Sequence, residues 1–87
     1  MTTQSDTDSA ARSVTPLGAG TMSNRIRQLR FEHGEMTQSE LGERIGVTRQ
    51  TIAAIEAGKY SPSLESAFRI AKVFDVKLDE VFQYTIG

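Results

Sequence analysis

The sequence predicts an all-α domain of five short helices, and three observations predict it. Through the second half of the chain, apolar residues recur at three- and four-residue intervals, the period of a helix with one buried face. Ser23, Thr37, Thr48 and Ser61 each stand just before such a run, where a hydroxyl oxygen accepts a hydrogen bond from the first helical turn. Gly34, Gly46 and Gly58 stand just after three of the runs, where left-handed backbone ends a helix.

Residues 1–21 are rich in Ser, Thr, Gly and Ala and carry no periodic apolar pattern. Such a segment buries too little surface to offset its ordering entropy and reads as a flexible N-terminal tail. The first helix is expected from Asn24 to His33, with Ser23 as its cap, Ile26, Leu29 and Phe31 inward, and Gly34 as its stop. Thr37 and Glu40 form a T-x-x-E capping box, which starts the second helix at Gln38 and carries it to about Ile45. Thr48 caps the third, from Arg49 to Ala57, and Gly58 ends it. Ser61 before Pro62 is the favoured start of a fourth helix, running to Phe74 with Leu64, Ala67, Phe68, Ala71 and Phe74 inward. A last turn spans Leu78 to Phe82, with Asp79 and Glu80 near its positive end. Residues 22–82 thus form the domain, and residues 83–87 a C-terminal strand or tail.

Within this series the stretch QSELGERIGVTRQTIAAIEA, Gln38 to Ala57, carries the most specific pattern. Leu41, Ile45, Val47, Ile52 and Ile55 fall where two crossing helices bury side chains against each other. Gly42 sits inside the first of them, where glycine costs roughly 1 kcal/mol relative to alanine, so a close approach is expected there. Gly46 falls at the turn, where positive φ is free of a Cβ penalty. This is the helix-turn-helix pattern. From about Met22 to Phe82 the chain resembles the Cro/repressor-type (XRE-like) DNA-binding regulators, a lambda-repressor-like fold. One departure is visible: Gly34-Glu35-Met36-Thr37 is one residue longer than the usual family spacing.

The resemblance implies double-stranded DNA as partner, with the third helix in the major groove and the second across the backbone. Arg49 and Gln50 are then the base readers, since an arginine fork matches guanine and a glutamine amide matches adenine. Ala53 and Ala54 follow at groove-facing positions and offer methyl contacts. Gln38, Thr48, Thr51 and Lys59 are expected at phosphates. Arg30 and Glu56 match the family's structural ion pair. The ending Val81–Ile86 has two readings: a frayed tail that covers the core with Phe82, or a dimerising strand. Small relatives with a similar Phe-Gln-aromatic ending dimerise, which makes Phe82, Tyr84 and Ile86 the dimerisation residues and a palindromic operator the target. A repressor follows from a dimer that covers its operator.

Composition bounds the alternatives. No cysteine is present and His33 is the lone histidine, so no metal centre is expected, nor any cofactor. No catalytic dyad or phosphate-cradling loop is recognisable, and the expected answer is not an enzyme. No apolar run approaches a bilayer span of roughly 20 residues and no signal peptide is evident, which points to a cytoplasmic location. The net charge of −1 argues mildly against nucleic acid, but Arg25, Arg27, Arg30, Arg49 and Lys59 cluster apart from Asp75, Asp79 and Glu80. The alternatives are an antitoxin that autoregulates its operon, recognised by a co-purifying small protein, and an interaction module without a basic face. The operator and any protein partner are not readable from the sequence.

Overall fold

The computed structural model describes residues 20–86. Strand β1 (Gly20–Asn24) leads into helices α1 (Ile26–Glu32), α2 (Gln38–Ile45), α3 (Arg49–Glu56), α4 (Leu64–Phe74) and α5 (Leu78–Val81), and strand β2 (Phe82–Ile86) follows. The five helices stand as expected, joined by one two-stranded antiparallel sheet.

That sheet corrects the reading of the N-terminal side. The segment read as tail already contributes Gly20 and Thr21 to β1, and residues 1–19 lie outside the described residues. The partner of the C-terminal strand is the chain's own β1, in a register that pairs Met22 with Tyr84 and Asn24 with Phe82. Directly opposed residues of an antiparallel pair share a face. Met22, Asn24, Phe82, Tyr84 and Ile86 therefore line one side, and Thr21, Ser23, Gln83 and Thr85 the other.

Because Ser23 is held in the strand, it does not cap α1. The cap position is Arg25, which makes no side-chain cap bond; Asn24, just before it, accepts from the Ile26 N–H through Oδ1 at 3.2 Å, and the helix starts two residues later than expected. At the far end, Gly34 (φ 75°) and Glu35 (φ 56°) are both left-handed. The doubled left-handed turn returns Met36, buried, to the core, its N–H donating to the Arg30 carbonyl at 2.9 Å.

The start of α4 is also shifted. Ser63, not Ser61, is the cap: its extended backbone lets Oγ accept from the Ser66 N–H at 3.1 Å, and Pro62 precedes the cap. The buried stripe is Ala67, Ile70, Ala71 and Phe74, at the spacing of one helix face. Leu64 and Phe68, expected inside, lie on the neighbouring stripe and are 69% and 48% exposed. Phe31 is likewise exposed, under the Arg27 guanidinium at 5.6 Å from the ring centroid.

The core is a single cluster: Ile26 and Leu29 of α1, Leu41 and Ile45 of α2, Ile52 and Ile55 of α3, and Ile70, Ala71 and Phe74 of α4, closed by Met36 and Val81. Phe82 packs on its edge. Among the described residues no helix is long and apolar enough to cross a membrane.

Candidate nucleic-acid interface

The interface is built on the α2–α3 corner. Thr37 Oγ1 accepts from the Glu40 N–H at 3.0 Å while Glu40 Oε1 accepts from the Thr37 N–H at 2.7 Å, so the reciprocal capping box is formed. The donated Thr37 backbone N–H, helped by the Thr37 hydroxyl and the Arg44 charge, holds the Glu40 carboxyl below its usual range. At the other end of α2, Gly46 is left-handed (φ 84°), and the N–H groups of Gly46 and Val47 both reach the Gly42 carbonyl at 2.8 Å. A Cβ on Gly42 would lie 2.6 Å from the Val47 carbonyl oxygen. The close approach expected at Gly42 is thus made by the turn, not by the body of α3.

The turn delivers Thr48 in extended conformation, and its Oγ1 accepts from the Thr51 N–H at 3.1 Å and lies 3.0 Å from the Thr51 hydroxyl. Both hydroxyls are therefore engaged with each other in the cap. Arg49 and Gln50 follow, exposed at the first turn of α3. Ala53 and Ala54 are half-buried one turn further on, and Ile52 and Ile55 anchor the opposite face in the core. The helix ends in a Schellman arrangement. The Lys59 N–H returns to the Ala54 carbonyl at 2.9 Å and the Gly58 N–H to the Ile55 carbonyl at 3.0 Å, which leaves the Lys59 side chain exposed just beyond α3.

Arg30 and Glu56 form the expected pair, doubly bonded: Nε donates to Oε2 at 2.6 Å and Nη2 to Oε1 at 3.1 Å. Both side chains are only 11% exposed. Arg30 Nη1 also donates to the Met36 carbonyl at 2.8 Å, so this side chain ties α1, α3 and the loop before α2 together. Gln38 points partly inward: its Nε2 donates to Glu56 Oε1 at 3.3 Å, and its Oε1 accepts from Arg49 Nη1 at 3.5 Å.

The structure thus brings Gln38, Arg49, Glu56 and Arg30 into one connected group, with Gln50 and Lys59 exposed at either end of α3. Arg25 is turned elsewhere, to Gln28 and the Glu80 carbonyl. Tyr84 and Ile86 lie on the sheet, and Phe82, at its start, lines a pocket with Ile55 and Gly58 at the end of α3. Asn24 is the residue that sequence reasoning missed: its Nδ2 donates to the Ile55 carbonyl at 3.1 Å, bracing the end of α3. Its position, two residues before the first buried Ile, was the available signal. Among the described residues no group of three or more His, Cys, Asp and Glu is placed to hold a metal ion.

The helix-turn-helix family model matches residues 26–81, the five helices described above. The chain belongs to the XRE-type helix-turn-helix family of transcriptional regulators. It is 51% identical over 63 residues to an uncharacterised HTH-type transcriptional regulator of Methanocaldococcus jannaschii, covering 72% of this chain and 94% of that one. It is 51% identical over 61 residues to the uncharacterised HTH-type regulator YgzD of Bacillus subtilis, covering 70% and 91%. Identity to the cryptic phage CTXphi transcriptional repressor RstR of Vibrio cholerae is 39% over 59 residues, covering 68% of this chain and 52% of RstR. A crystal structure from Bacteroides fragilis, provisionally assigned as DNA-binding, superposes with a TM-score of 0.64 at 27% identity, covering 72% of this chain and all of that one.

Proposed function

We propose that this helix-turn-helix regulator is a homodimeric repressor that reads a palindromic operator in double-stranded DNA through α3. One observation carries the proposal: the Thr48 cap and the buried Ile52 and Ile55 fix α3 so that Arg49 and Gln50 stand exposed together at its first turn. In the major groove the arginine fork pairs with guanine O6 and N7 and the glutamine amide with adenine N6 and N7. Ala53 and Ala54 add methyl contacts. Lys59 and the N-terminal turn of α2 around Gln38 flank this helix and meet phosphates, with Thr48 and Thr51 engaged mainly in holding it. The repressor assignment takes its support from the likeness to RstR.

Support for a dimer comes from an apolar surface outside the interface. Met22, Leu64, Leu78 and Phe82 line a shallow groove with Ser61, Pro62 and Ala67, and none of these residues is charged. Tyr84 and Ile86 extend it along the same face of the sheet, each about half exposed. A two-stranded ribbon is marginal in water unless its apolar face is covered. An uncharged surface meets its own image across a two-fold axis without like-charge repulsion. Two recognition helices related in this way, about 34 Å apart, match half-sites one helical turn apart.

Selection of bound sequences from a random duplex pool tests the reading, run beside an Arg49→Ala, Gln50→Ala variant. Enrichment of an inverted repeat that is lost or relaxed in the variant is expected. Enrichment of a single half-site refutes the dimeric reading, and no enrichment refutes base reading by α3.

A further inference from the structure

We infer that Glu56 is a positioning residue for base reading: through the Gln38 amide it holds Arg49 ready for the operator. This rests on the reading of Arg49 as a base contact. The argument starts from the chemistry of the buried pair. A carboxylate is an acceptor only, and Arg30 already takes both Glu56 oxygens from one side. Whatever else touches Glu56 must donate.

Gln38 meets that condition in one orientation only, with its NH2 group towards Glu56 Oε1 at 3.3 Å. Its carbonyl oxygen is therefore directed away from Glu56, and Arg49 Nη1 lies 3.5 Å from it. An amide whose ends are otherwise interchangeable is thus polarised by the buried charge beneath it. Were the amide reversed, its oxygen would oppose the Glu56 carboxylate and its NH2 group would repel the Arg49 guanidinium. The relay runs from the Met36 carbonyl through Arg30, Glu56 and Gln38 to Arg49, so α1, α2 and α3 all contribute to it. Gln38 uses one N–H of Arg49, which leaves the guanidinium with four others, enough for a two-pronged guanine contact. Fixing a long, rotamer-rich side chain before binding removes part of the ordering cost at the moment of contact.

This assignment separates Glu56 from a purely structural group. A structural role predicts that weakening Glu56 lowers stability and lowers affinity equally for every duplex. A positioning role predicts that discrimination falls at one base pair.

The test uses the full chain with Glu56→Gln and Gln38→Met, the second leaving the Arg30–Glu56 pair intact should the first fail to fold. Affinities are measured for the selected operator and for all its single base-pair variants, with Arg49→Ala marking the position that Arg49 reads. Both variants are expected to lose roughly five- to tenfold of the discrimination at that position, part of what a bidentate pair supplies, and to keep it at the position read by Gln50. In the free protein, 15N relaxation of the Arg49 Nε–H is expected to show greater mobility in both variants than in the parent. Unchanged discrimination, with affinity lowered uniformly, would overturn the assignment, as would an Arg49 equally mobile in parent and variants. If both variants mobilise Arg49 while Arg49→Ala alters no base preference, base reading by Arg49 is what fails, and Glu56 loses its part in it.

Discussion

Asn24 is bonded to Ile55 across 31 residues of sequence, its side-chain N–H donating to the Ile55 carbonyl at 3.1 Å. The same amide accepts from the Ile26 N–H at 3.2 Å. One side chain therefore braces the start of α1 against the end of α3. Asn24→Ala is expected to cost about 1–2 kcal/mol, the range for two lost hydrogen bonds, measured by urea denaturation. A loss below a few tenths would show that water replaces both bonds.

Gly42 is constrained by a neighbour rather than by its own backbone. Alanine gains roughly 1 kcal/mol of helix propensity there, but its Cβ would meet the Val47 carbonyl oxygen at 2.6 Å. Backbone cannot rotate away as a side chain does, and forced overpacking typically costs 1–3 kcal/mol. Gly42→Ala is expected to destabilise the fold by up to about 2 kcal/mol net, read from the denaturation midpoint.

The Arg30–Glu56 pair should show the asymmetry of buried charge. Removing one partner strands the other at 11% exposure. Arg30→Met is expected to cost about 3 kcal/mol, whereas the Arg30→Met, Glu56→Leu double variant recovers most of it. A double variant as unstable as the sum of both single ones would contradict this.

Glu40 gives a pH dependence with a definite sign. Its carboxyl titrates below the ordinary value of 4.5 because Thr37 donates to the charged form. The contribution is fully present above the unfolded-state pKa and is lost as the pH falls through the lowered folded-state pKa. The difference in Tm between the parent and Glu40→Gln is therefore expected to be largest near neutral pH. It should shrink as the pH falls below the ordinary carboxyl value of 4.5 and be gone below the lowered Glu40 pKa.

Leu64 probes the dimer. It is 69% exposed in the single chain, so Leu64→Glu should leave the circular dichroism spectrum and the core intact. Two carboxylates brought together at a two-fold contact should shift sedimentation from dimer to monomer. A variant that sediments as its parent does would move the proposed interface elsewhere.

Most of the helix-turn-helix was legible because its signals are local. Thr37 with Glu40, Thr48, Gly46 and Gly58 specify caps and turns from chemistry within a few residues, and all of them act as read. The Arg30–Glu56 pair was legible through the family resemblance alone, since nothing local links two residues 26 apart. What was missed depends on partners distant in sequence. Gly20–Asn24 has no strand pattern until Phe82–Ile86 lies beside it, and once Ser23 enters that ladder it no longer caps α1. Ser61 reads as the cap because Pro62 follows it, whereas the extended Ser63 takes that place. Leu64 and Phe68 lie one stripe away from the buried Ala67, Ile70, Ala71 and Phe74, which a period count alone does not separate. At the interface, the residue types of α3 were readable, but the inward turn of Gln38 was not. It follows from a buried carboxylate contributed by another helix.

The register of the sheet also determines how the protein would yield to force. Gly20 opens β1 and is paired with Ile86, at the end of β2, so the first and last described residues lie side by side. Tension applied at Gly20 and Ile86 would fall first on that outermost rung and peel the ladder towards Asn24 and Phe82, one pair at a time. The helices that carry Arg49 and Gln50 would feel no load until the ribbon had parted. Under tension the ribbon is a fuse for the helical domain behind it.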